Sequence, residues 1–226
     1  MLFRKNKSGD ERTLPMYLYT EEELNEYEEH VSRCFGEYKE VFHEIVSPDI
    51  HLDVILVPPS EEAQYYKLVT MGAGAYKMNV PPELSEYHLN YAEYVLYLPA
   101  DWDVRSGDPI SYWPLGLIKK IARMPLECDT WLGYGHTVYG NEDESPLADN
   151  TELNSILLLS SVGIDGELCD FQLGSGKIIR FYQIMALYQE ELNYKIANNT
   201  ETLLERFPDD EFPPIIRSDR KNYCAK

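Results

Sequence analysis

What this 226-residue chain has little of excludes several functions. It has four cysteines, Cys34, Cys128, Cys169 and Cys224, and no CxxC, so the spacing writes neither a zinc knuckle nor a redox pair. Four reduced thiols suit a cytoplasmic protein. Basic residues are scarce: 20 Lys and Arg stand against 39 Asp and Glu, a net charge of −19. Nucleic-acid binding draws its affinity from phosphates neutralised by Lys and Arg, so that class is disfavoured. An anionic membrane surface is disfavoured for the same reason. No apolar run approaches the length of a membrane span, and the start, MLFRKNKSGDERT, lacks the apolar stretch of a signal peptide.

Motifs for catalysis and cofactors are equally thin. GxSxG, HxH and HExxH are absent. The glycine pairs of MGAGAYK (71–77) and GYG (133–135) lack a GK[ST] ending and a following helix pattern, so turn geometry explains them better than a phosphate cradle. His43, His51 and Asp53 would meet only if their strands paired suitably, and cross-strand polar contacts are a better reading than a metal site. We expect no metal, no cofactor and no catalytic set. Cys128, eight residues before His136, with Asp129 or Asp149 to orient the imidazole, leaves a hydrolase as the least favoured alternative.

What is present is a core. A hydrophobic fraction of 44% and a charged fraction of 26% fit a globular domain. Thr20 and Glu23 read as a capping box opening a helix that carries Leu24, Tyr27, Val31, Cys34 and Phe35 and ends at Gly36. Residues 38–46 and 51–59 read as a hairpin turning at Ser47, Pro48 and Asp49, with Leu52, Val54 and Leu56 on one face and His51, Asp53 and Ile55 on the other. Strands follow at 65–74 and 91–99, then a helix from Trp113 and Pro114 to Pro125 with Leu117, Ile118, Ile121 and Ala122 inward. A buried strand at 156–160 and a long one at 177–188 precede one or two closing helices. The pattern predicts an α+β fold: one domain with a mixed, mostly antiparallel central sheet flanked by helices. Residues 1–16 are expected to form a flexible tail, 17–208 the domain, and 209–226 a C-terminal tail.

Several segments stand in a fixed order over residues 38–207: HLDVILVPPSEEAQYYKLVTMGAG, YAEYVLYLPADW, YWPLGLIKKIARMP, TWLGYGHTV, PLADNTELNSILLL, IIRFYQIMALYQEELNYKI and LLERF. This ordered set resembles the suppressor of fused domain family in its single-domain bacterial form. The resemblance implies a binding module rather than an enzyme. Animal members are two-domain regulators that clamp a short extended segment of a transcription factor, and bacterial members sit beside secreted toxins as immunity proteins. A second domain of comparable size is missing here, so the animal clamp does not carry over intact. The expected role is neutralisation of a cognate toxin by direct binding, with a general regulatory peptide-binding or scaffold role as the alternative. The expected partner is a protein, a basic toxin being the form that the charge would steer fastest. Candidate contact residues are Tyr76, Tyr134, His136, Tyr139, Glu142, Asp143 and Glu144. Within WLGYGHTV (131–138), Trp131 and Leu132 are expected to plug the core. Gly133 and Gly135 should allow a turn or close approach, and His136 and Thr137 should tie the segment down by hydrogen bonds.

Overall fold

The computed structural model describes residues 17–225 except Val46 and Pro48. The expected tail 1–16 and the centre of the expected turn at Ser47, Pro48 and Asp49 lie outside the described residues. Helix α1 spans Glu21–Phe35. Its capping box is reciprocal: Thr20 Oγ1 accepts from the Glu23 N–H, and the Glu23 carboxylate accepts from the Thr20 N–H, both at 3.2 Å. Gly36 ends the helix at a φ of +108°, a conformation that disfavours any side chain.

Strands β1 (Glu40–Phe42), β2 (Asp53–Val57), β3 (Tyr65–Met71) and β4 (Tyr91–Pro99) form an antiparallel meander. The period-two alternation does what the sequence implies. Leu52, Val54, Leu56, Tyr94, Leu96 and Leu98 enter one core, while Ile55, Val57, Val95 and Tyr97 enter a second core on the opposite face. β1 is shorter than the run 38–46 that suggested it. Helix α2, Pro109–Glu127, corrects another boundary, because it begins before Trp113 and continues past Pro125. Asp108 caps it by accepting from the Ile110 N–H at 3.0 Å, and Pro109 takes the first helical position. Pro114 lacks the N–H that would serve the Ile110 carbonyl, and that carbonyl accepts from Asn150 Nδ2 at 3.4 Å instead. The expected inward residues Leu117, Ile118, Ile121 and Ala122 are buried.

The remaining strands are β5 (Thr137–Tyr139), β6 (Ser155–Ser160), β7 (Phe171–Gln172) and β8 (Ile178–Leu187). The sheet order is β1-β2-β3-β4-β8-β6-β5, with β7 also pairing β8. Only β4 and β8 run parallel among the described strands, so the sheet is mixed and mostly antiparallel, as expected. α2 covers one face and α1 the other. Helices α3 (Gln189–Ala197) and α4 (Thr200–Leu204) close a third cluster over Leu157, Leu159, Met185 and Leu187.

Pairing between β4 and β8 stops at Val95 and Gln183. Beyond that point residues 214–216 lie beside β4: Ile215 bridges Tyr97, the Ile216 N–H donates to the Tyr97 carbonyl at 2.9 Å, and Gln183 Nε2 donates to the Pro214 carbonyl at 3.0 Å. Arg220 Nη2 then donates to the Ala186 carbonyl of β8 at 2.6 Å and pairs with Glu191, which is fully buried. The polar C-terminal stretch therefore packs back into the sheet and supplies hydrogen bonds where the two strands part.

Candidate functional site at the β5 edge

WLGYGHTV builds the edge of the sheet. Leu132 is buried in the α2-side core and Trp131 packs against it. A Cβ on Gly133 would stand 2.7 Å from the Trp131 ring, so Gly133 permits that ring to fold back. Gly135 has a φ of +78°. Its N–H donates to the Leu158 carbonyl at 2.8 Å, while the Leu158 N–H donates to the His136 carbonyl at 2.9 Å. Two residues thus face one across the ladder, a G1 bulge with glycine in its required place. The turn and the close approach expected of the two glycines are both present, one at each.

The bulge sets which backbone groups of β5 face outward. Bonded and non-bonded pairs alternate along an antiparallel ladder. His136 bonds to Leu158 and Gly140 to Asn154, so Val138 is the residue that bonds to Ile156. The N–H and C=O groups of Thr137 and Tyr139 consequently point to the open edge. Among the described residues they have no backbone partner.

Two depressions of ≈530 Å³ each lie along this segment. The first is lined by Lys120, Met124 and Cys128 from the α2 side, by β5, and by Glu142 and Glu144. Its loop is built rather than loose: the Glu144 N–H donates to the Asn141 carbonyl at 3.1 Å, and Asn154 Nδ2 donates to the Glu144 carbonyl at 3.2 Å. The second is lined by Tyr134, Gly135, His136, Lys195, Ile196 and Glu201. Tyr134 OH donates to Glu201 Oε1 at 3.2 Å. His136 stacks edge-on against Trp131 at 4.3 Å, and burial, with Lys195 nearby, holds its pKa below the ordinary value.

Five of the seven candidate residues therefore line one or other depression. Asp143 is exposed and accepts from the Ser145 N–H at 3.2 Å, outside both. Tyr76 sits edge-on to Tyr17 at 5.0 Å and lines neither. Sequence reasoning missed Lys120, Met124, Lys195 and Ile196. The last carried a signal, an isoleucine left exposed at the end of an amphipathic helix.

The family model described as suppressor of fused protein (SUFU) matches residues 48–221. The chain belongs to the SUFU family. It is 27% identical over 212 residues to an uncharacterized protein, UU111, of Ureaplasma parvum serovar 3, covering 92% of this chain and 98% of that one. The crystal structure of a SUFU homolog from Neisseria gonorrhoeae matches with a TM-score of 0.61 at 14% identity, over 90% of this chain and 98% of that one. The Sufu-Fu complex structure matches with a TM-score of 0.58 at 12% identity, over 81% of this chain and 83% of that one. These two likenesses establish the fold.

Other motifs of this SUFU domain have roles outside the β5 edge. MGAG does cradle an acidic group, but an internal one. The N–H groups of Gly72 and Gly74 both donate to Glu93 Oε1 at 2.9 Å, Tyr19 OH donates to the same oxygen at 2.7 Å, and Thr70 Oγ1 donates to Oε2. Glu93 is fully buried, and desolvation raises its pKa to about 7 against the pull of these donors. His43 Nδ1 reaches Asp53 Oδ2 from the neighbouring strand segment at 2.8 Å, and His51 Nε2, two residues before Asp53 in the same segment, lies 3.5 Å from that oxygen. Among the described residues no three His, Cys, Asp or Glu side chains converge as a metal site. Cys128 and His136 line different depressions. No described helix is long and apolar enough to cross a membrane.

Proposed function

We propose that this SUFU domain is a non-enzymatic protein-binding module that takes an extended segment of its partner along β5, and that it serves as a cytoplasmic immunity protein. The observation that carries the reading is the unpaired outward backbone of Thr137 and Tyr139, which line the first depression and directly follow the residues that line the second. Such an edge offers main-chain hydrogen bonds for affinity and side pockets for alternate side chains. Glu127, Glu142 and Glu144 line the first depression with Lys120, and Glu201 lines the second with Lys195, so the edge is acidic on balance. Together with a net charge of −19, that balance favours a basic partner such as a cationic toxin and speeds encounter at low salt.

The test is to capture the product of the neighbouring gene with the purified domain and then assay rescue of cells expressing it. Thr137→Pro removes an outward N–H without touching the ladder to β6, so it should abolish capture and rescue while the domain stays folded. No stable complex and no rescue would sink the immunity role. The Sufu-Fu complex is a case of a family member bound to another protein, which supports a second reading as a general regulatory module. Capture of several unrelated extended peptides with no toxin nearby would favour that reading instead.

A further inference from the structure

The fold brings together two cysteines that the sequence leaves far apart. Cys34 lies in the last turn of α1 and Cys169 just before β7, and both are buried. A Cβ on Gly163 would stand 3.0 Å from the Cys34 carbonyl and 3.5 Å from Cys169 Sγ, which shows how closely the two segments meet. The Ile164 N–H donates to the Cys34 carbonyl at 2.9 Å and joins the β6–β7 loop to the end of α1. We propose that Cys34 and Cys169 are a redox-active pair that a hydroperoxide converts to a disulfide, locking α1 to the β6–β7 loop.

His30 organises the pair. Its Nε2 lies 3.4 Å from Cys34 Sγ and 2.5 Å from the Cys169 carbonyl. Arg33 Nη2 donates to Nδ1 at 2.8 Å, which leaves Nε2 as the N–H bearing nitrogen. Phe171 stacks on the imidazole at 3.9 Å and 9°. That N–H donates to the Cys169 carbonyl, while Cys34 Sγ lies against the imidazole, 3.4 Å from Nε2 and 4.0 Å from Nδ1. The Cys169 thiol beside it, His30 and the Arg33 charge together hold the Cys34 pKa below the ordinary thiol value despite burial. The shared hydrogen bond, burial and Asp165 raise that of Cys169. Cys34 is therefore the attacking thiolate and Cys169 the resolving thiol.

The chemistry balances with the peroxide as sole oxidant. The Cys34 thiolate attacks one peroxide oxygen, an S–O bond forms, the O–O bond breaks, and hydroxide leaves to be protonated to water. Cys169 then attacks the sulfenic sulfur, the S–S bond forms, and the hydroxyl departs with the Cys169 proton as a second water. The loop that would be locked carries three exposed apolar residues, Val162, Ile164 and Leu168.

The test treats the reduced full-length protein with hydrogen peroxide, alkylates the remaining thiols, and maps peptides by mass spectrometry. The expected product is a Cys34–Cys169 disulfide, formed before exposed Cys128 reacts and reversed by dithiothreitol. Cys169→Ser should leave a sulfenic acid trapped by dimedone at Cys34, and Cys34→Ser should leave Cys169 unmodified. The Cys34 rate should rise less steeply between pH 6 and 8 than that of an ordinary thiol, whose thiolate fraction gains roughly 75-fold over that range. Wild-type protein in which Cys34 and Cys169 both stay alkylatable while Cys128 oxidises would overturn the proposal, with no variant required to fold.

Discussion

Replacing Arg220 with alanine should be among the most damaging single changes in this domain. Its guanidinium pairs with Glu191, which has no exposed surface, donates to the Ala186 carbonyl, and lies over the Tyr188 and Phe207 rings at 4.9 and 5.3 Å. Without it, Glu191 keeps the N–H donors of Tyr188 and Tyr223, each at 3.0 Å, but loses the only cation that pairs with it among the described residues. Breaking a buried pair by removing one member costs about 3–5 kcal/mol, and an orphaned buried carbonyl adds about 1. The total of about 4–6 kcal/mol is, for a chain of this size, a fall in Tm of roughly 8–24 °C. Arg220→Lys should lose less, because an ammonium keeps the charge but cannot serve the carboxylate and the carbonyl in one planar fork. Arg220→Met with Glu191→Leu should recover much of the loss by removing both charges. Guanidinium denaturation followed by circular dichroism measures all three. An Arg220→Ala protein within about 1 kcal/mol of wild type would refute the reasoning that the C-terminal segment is part of the fold.

Three further outcomes are expected. Because Glu93 is raised from 4.5 to about 7 in the folded protein, the native state binds the extra proton between those values, and stability should fall as pH rises through that window, by roughly 3 kcal/mol in all. Denaturation of wild type and Glu93→Gln from pH 4.5 to 8 checks this, and parallel curves would contradict it. Gly135→Ala forces a side chain into positive φ with Thr200 Oγ1 at 3.1 Å and should cost about 1–2 kcal/mol, with faster amide exchange in β5. Glu142→Lys with Glu144→Lys should slow association with a basic partner, most strongly at low ionic strength, in stopped-flow or surface-binding kinetics; an unchanged rate would remove that loop from the interface.

Local patterns were legible in the sequence where one physical rule dominates. The capping box of α1, the alternation in β2 and β4 and the length of β8 needed only neighbours a few residues away. The start of α2 was misplaced because Trp113 and Pro114 imitate a helix start, whereas Asp108 and Pro109 are the true one. The carbonyl freed by Pro114 is served by Asn150, which no local window contains. Long-range partners were beyond reach for the same reason. Nothing near MGAG announces that its amides close on Glu93, or that residues 214–216 fill the parting of β4 and β8. Of the site, WLGYGHTV and its acidic neighbour loop were found through composition and glycine placement. Their identity as a strand edge was not, because a three-residue strand behind a bulge carries too little pattern to register.

The claim that a partner adds along β5 is tested most directly by amide hydrogen exchange on the domain with and without its captured partner. The Thr137 and Tyr139 amides, which face the open edge, should gain protection on binding, while the Val138 amide, already bonded to β6, should change little. A stable complex in which protection appears elsewhere and Thr137 and Tyr139 exchange as in the free protein would contradict it.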